Sequence, residues 1–134
     1  MTRSNTILAG ICLLMLAGPS EAADFRISFD WSGLKLCNSG SPNKVSNPRF
    51  RVSRLPAGTK LIKFTLTDLD VPGYQHGGGW VKMSGDGTVP ANAFKYKSPC
   101  PPSGRHTYEW RAEARSKKGG ATLGVAAARR NYPE

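Results

Sequence analysis

The sequence predicts an all-β domain, a small β-sandwich closed by a short C-terminal helix. Three observations lead there. Short stretches of strict apolar–polar alternation recur along the chain; glycine and proline turns separate them; and helical periodicity is absent until the alanine-rich tail.

Residues 1–22 read as a secretory signal peptide. Arg3 supplies the positive start, Ile7 to Leu16 the apolar stretch, and Ser20-Glu21-Ala22 the small-x-small cleavage site. The apolar stretch is too short to span a bilayer. Residues 23–134 are then one exported domain, periplasmic or secreted.

Its first strand runs through Phe25, Ile27, Phe29 and Trp31, which share a face. A Gly/Ser/Asn/Pro-rich region follows, broken by Arg49-Phe50-Arg51-Val52, read as a brief edge strand. The clearest strand is Lys60 to Thr67, with Ile62, Phe64 and Leu66 inward and Asp68 next on the same side. Beyond the loop 70–79 come Trp80 to Met83, a Gly85-Asp86-Gly87 turn, and a stiff loop, SPCPPSGR. That loop feeds His106 to Arg115, in which His106, Tyr108, Trp110, Ala112 and Ala114 share the inward face. The tail ATLGVAAARRNYPE is rich in alanine and suits a short helix.

Two cysteines remain after removal of residues 1–22, and an exported chain meets an oxidising compartment. A Cys37–Cys100 disulfide is therefore expected, stabilising by roughly 4 kcal/mol on a chain-entropy estimate. Loss of Arg3 and Glu21 leaves the net charge at +10. Such a charge favours anionic partners without choosing among them.

Asp68, His106 and Tyr108 are the informative polar residues, because alternation assigns each to the buried side at a strand end. A carboxylate, an imidazole and a phenol meeting in a cleft can bind a phosphate or carboxylate. They can equally form a structural network that satisfies its own buried groups. A triad from Ser98, His106 and Asp68 lacks any nucleophile signature, and no enzyme is expected. A metal site from Asp68, Asp70, His76 and His106 lacks the fixed spacing of zinc motifs, and no motif suggests a cofactor. Phe50, Tyr74, Trp80 and Tyr96 interleave with basic residues in a pattern that would suit single-stranded nucleic acid, but export disfavours that partner.

Two linked motifs carry a family resemblance. FTLTDLDVP, Phe64 to Pro72, resembles the D-P-D-x-P motif of the phosphatidylethanolamine-binding proteins, and SPCPPSGRHTY, Ser98 to Tyr108, resembles their G-P-x-P-P-x-G-x-H-R-Y motif. NPRFRVSRLPAGT, Asn47 to Thr59, is similar to a third stretch, so the likeness runs from about Phe25 to Ala114 and points to the bacterial Raf-kinase-inhibitor-like branch. The resemblance implies a sandwich with a rigid pocket for phosphate, acetate or a phospholipid headgroup. It implies ligand-binding roles for Asp68, Asp70, His106 and Tyr108, with the backbone near Cys100 and Pro101 as a wall. The chain departs from the pattern at Leu69, Thr107 and Ser98, and Gly79 stands where the family has a second pocket histidine. His76, on the preceding loop, is the candidate replacement. The alternative to an anion pocket is a basic interaction or inhibitor protein engaging an acidic protein or envelope polymer.

Overall fold

The computed structural model describes residues 24–134, so the signal-peptide reading of residues 1–22 lies outside the described residues. Nine strands follow in order: β1 (Arg26–Ser28), β2 (Lys44–Ser46), β3 (Phe50–Ser53), β4 (Leu61–Asp68), β5 (Gly78–Lys82), β6 (Gly87–Val89), β7 (Lys95–Lys97), β8 (His106–Arg115) and β9 (Thr122–Tyr132). All pairings are antiparallel. They form a three-stranded sheet β1-β3-β6, a four-stranded sheet β5-β4-β8-β9 and a two-stranded ribbon β2-β7.

The inner faces of the two larger sheets meet through aromatic rings. Phe50 of β3 stacks on Phe64 of β4 at 4.4 Å and meets Trp110 of β8 edge-on at 5.2 Å. All three are essentially sealed from solvent. Alternation produces this directly: in β4 every second residue from Ile62 is buried, and in β8 the same holds from Tyr108 to Ala114. Ala112, Ala114 and Ala126 are small and buried on neighbouring strands, which leaves room for the large rings.

Two expectations need correction. The Phe50 segment is no edge strand: β3 lies between β1 and β6, and Phe50 is a core residue. The alanine-rich tail is not a helix. Residues 122–132 form β9, paired with β8 from His106 opposite Tyr132 to Arg115 opposite Thr122, with one irregularity at Ala114/Arg115. The helical preference of alanine, at most roughly 0.7 kcal/mol per residue over ordinary residues, is a weak local bias. It loses to a ladder of backbone hydrogen bonds, the burial of Ala126 and Tyr132, and the side chains that anchor the strand's end. There the Trp31 indole N–H donates to the Asn131 carbonyl at 2.9 Å, and the Cys37 amide to the Tyr132 hydroxyl at 2.7 Å.

Three strands, β2, β6 and β7, were not expected, being only three residues each and set among turn residues. The Cys37–Cys100 disulfide is formed, with its Cα atoms 4.7 Å apart. No helix among the described residues is long and apolar enough to cross a membrane.

Gly124 distinguishes strand from helix energetically. A Cβ there would lie 2.7 Å from Cγ of Pro56, a ring that cannot swing aside. In a helix, Gly124→Ala would stabilise by roughly 1 kcal/mol; in β9 it is expected to destabilise by roughly 1–3 kcal/mol through overpacking. Urea unfolding of the variant checks the sign.

Candidate functional site

Antiparallel register builds the centre of the site. Asp68, the last residue of β4, lies opposite Tyr108 of β8, and His106 precedes Tyr108 by two residues on the same face. The His106 ring therefore reaches Asp68, and Nδ1 lies 2.7 Å from Oδ2. An ionised carboxylate only accepts, so Nδ1 carries the proton and Nε2 is the ring nitrogen left for a ligand. The other Asp68 oxygen accepts from the amides of Asp70 at 2.9 Å and Val71 at 3.1 Å, the turn geometry that aspartate favours after a strand. Burial pushes the Asp68 carboxyl up, but the bonds from His106 and the Asp70 amide outweigh it, and its pKa lies below the ordinary aspartate value. Beside it Tyr108 is almost completely buried. Burial first, and then the adjacent Asp68 charge, raise its pKa, so the phenol keeps its proton and serves as a donor.

His76 arrives from the other side. It is buried on the loop between β4 and β5, and β7 holds it twice: Nδ1 donates to the Lys97 carbonyl at 2.8 Å, while the Lys97 amide donates to the His76 carbonyl at 2.8 Å. Nε2 is again the nitrogen left over. Burial lowers the His76 pKa despite the help of the Lys97 carbonyl, so this imidazole is neutral at pH 7. Its ring stands edge-on to Tyr108 at 5.6 Å and to Tyr74 at 4.6 Å.

The third wall is the proline-rich loop. The disulfide joins it to the segment after Cys37; Ser98 and Asn43 exchange hydrogen bonds, amide to carbonyl at 2.8 Å and amide to hydroxyl at 3.1 Å. Gly40 crosses so close to Pro102 that an added Cβ would lie 3.1 Å from the proline Cβ, and its φ of 77° suits glycine. The three walls enclose a cavity of about 140 Å³, lined by Asp68, His76, Cys100, Pro101, His106 and Tyr108 together with Gly40, Pro42, Val71, Tyr74 and Pro102. Drug-sized ligands need roughly 300 Å³ or more, so the volume restricts the cavity to a small group.

Six of the seven residues expected at the site thus line one cavity, and Asp70 does not. Its carboxylate accepts from the Thr107 amide at 2.8 Å, bracing the β4–β8 end from outside. Asp68, Asp70 and His106 bring potential ligand atoms within 4.8 Å of one another, as a cation site would require. Those atoms are already engaged with each other and with backbone amides, which makes the trio a hydrogen-bonded network. Gly79 is explained by packing: it pairs with Phe64, and a Cβ there would strike the Phe94 ring at 2.5 Å, so no histidine fits at that position. Phe50 and Tyr96 are core residues, which breaks up the interleaved aromatic and basic surface seen in the sequence. Gly40 and Pro42 had no sequence signal beyond turn composition; Pro102 lay within the proline-rich motif, and Tyr74 stood out only in the aromatic–basic pattern, not for the cavity.

A larger depression, about 560 Å³, lies on the outer face of the three-stranded sheet among Arg26, Arg51, Thr88 and Asp86, and has no histidine in its lining. No family model, curated protein or solved structure matches the chain.

The Asp68 network has a pH signature. Its carboxyl titrates lower in the folded than in the unfolded chain, so its stabilisation is present above about pH 4 and is lost as pH falls through the folded value. Asp68→Asn is expected to cost roughly 1–3 kcal/mol at pH 7 and to weaken the acid dependence. Urea unfolding of both proteins at neutral and acidic pH measures the two effects.

Proposed function

We propose that this chain is an exported binding protein whose cavity takes a small anion: phosphate, a phosphoester or the phosphorylated headgroup of a lipid. The observation that carries the reading is the convergence of His106, His76 and Tyr108 on a cavity of about 140 Å³ with a disulfide-braced wall. Each imidazole has Nδ1 committed to the protein and Nε2 left over. Nε2 of the neutral His76 ring is then an acceptor, which suits a P–OH or an ammonium of the ligand, whereas Nε2 of His106 donates to an anionic oxygen when that ring is doubly protonated beside Asp68. Both rings are held in place before binding, which keeps the entropic cost low. The buried Asp68 charge does not oppose this outright, because His106 is bonded to it and the whole chain carries +10. The same reading is what the resemblance to phosphatidylethanolamine-binding proteins implies, and the disulfide suits an oxidising, extracytoplasmic compartment.

Binding without turnover is the preferred form. Ser98, the serine next to the site, is buried, its hydroxyl accepts from the Asn43 amide, and it does not line the cavity. A nucleophile would need to face both His106 and the ligand.

Calorimetric titration with inorganic phosphate and with phosphoethanolamine tests the proposal. Wild type is expected to bind at least one of them, and His106→Ala to weaken that binding by roughly tenfold or more, as loss of a charge-assisted hydrogen bond would. Absence of binding of either by the wild type would leave the network purely structural. Preference for phosphoethanolamine over phosphate would point to a headgroup rather than a free ion.

A further inference from the structure

The outer face of the four-stranded sheet holds a second feature, independent of the cavity. Trp80 of β5 is only partly buried, whereas Trp31 and Trp110 are in the core. Three cations gather on its ring: Lys63 Nζ at 5.9 Å, Arg115 Cζ at 5.8 Å and Lys118 Nζ at 5.7 Å from the centroid. Register explains two of them, since Lys63 is the direct partner of Trp80 across β4–β5 and Arg115 lies on β8 opposite Leu61.

The third is brought by a folded turn. Arg115 donates through Nη1 to the carbonyls of Lys118 and Gly120, each at 3.2 Å, and the Gly120 amide donates to the Lys117 carbonyl at 3.0 Å. The guanidinium is further fixed by Glu113 at 3.2 Å. Arg115 therefore holds the backbone of the lysine that shares its aromatic ring. The carboxylates of this face are already used, Glu113 by Arg111 and Arg115 and Glu109 by Arg129; Lys63 and Lys118 join none of these pairs among the described residues. Like charges held around one ring repel, and an anionic group entering between them relieves the repulsion.

We infer that this face is a docking surface for an acidic polysaccharide, with one sugar ring beside the Trp80 indole and its carboxylate or sulfate groups on Lys63 and Lys118, the latter held in place by Arg115. A partly buried aromatic ring with cations held over it suits a ligand that is apolar on a ring face and anionic at its edge. Single-stranded nucleic acid fits less well, because successive bases need successive aromatic platforms, and Trp80 stands alone among the described residues of this face. The disulfide also suits an oxidising, extracytoplasmic compartment, where nucleic acid is a less expected partner. The surface lies five residues up β4 from Asp68, roughly 17 Å away, on the opposite side of the sheet.

Tryptophan fluorescence at low salt, titrated with heparin and with polygalacturonate as probes, tests the inference, because Trp80 is the indole within reach of solvent. At least one glycan is expected to bind, with a spectral change that disappears in Trp80→Phe. The double variant Lys63→Ala/Lys118→Ala is expected to weaken binding roughly tenfold, while Lys44→Ala/Lys95→Ala, with the same loss of charge elsewhere, changes it less than about twofold. Equal losses in the two double variants would reduce the effect to net charge and overturn the proposal. So would binding of neither glycan, or tighter binding of an oligo-dT strand or of phosphatidylglycerol vesicles than of either glycan.

Discussion

The antiparallel register of β4 and β8 is the constraint on which both the core and the site depend. Because Leu66 faces Trp110 and Asp68 faces Tyr108, the apolar rows of the two strands fall on one side, and their polar ends fall together at one edge. A slip of β8 by one residue would turn Trp110 to solvent while Phe64 stayed inward, and would carry His106 away from Asp68. The core therefore enforces the geometry of the site. Burial of Phe50, Phe64 and Trp110 supplies the energy that fixes the register, and the hydrogen bond from His106 to Asp68 forms at a position the register has already chosen.

Rigidity around the cavity comes from other sources on its remaining sides. The proline-rich loop has few backbone donors and restricted φ angles, so it cannot hold itself by a regular ladder. It is held instead by the disulfide, by the paired bonds between Ser98 and Asn43, and by the close crossing of Gly40 and Pro102. The loop bearing His76 is tied to β7 through both its backbone and its ring. Elements far apart in sequence thus meet around a cavity of about 140 Å³.

Much of this was legible in the residues. The strand from His106 to Arg115 has the same bounds as β8, and the inward positions of Asp68, His106 and Tyr108 follow from a period of two. Pairing of Cys37 with Cys100 followed from there being no third cysteine after residue 22. The errors have a common physical form: the tail favoured helix by composition, and Phe50 looked peripheral because its segment was short and flanked by turn residues. In both cases a partner strand, invisible to local pattern, decided the outcome. Asp70 looked like a twin of Asp68, yet it lies two residues past the strand end, where the turned chain aims its carboxylate at the Thr107 amide.

Alternation along single strands, the stiffness of the proline loop, the excess of positive charge and the cysteine count are properties of the chain itself, and they determined the fold class, the cross-link and the polar trio of the site. Distances between segments are not local properties. Only the tertiary structure decided that His76 reaches the cavity while Gly79 is filled by Phe94, that the tail completes the sheet as β9, and that Lys63, Arg115 and Lys118 meet on Trp80. The reason is that strand pairing and ring packing gain their free energy from contacts between distant residues, and such contacts can outweigh any single residue's preference.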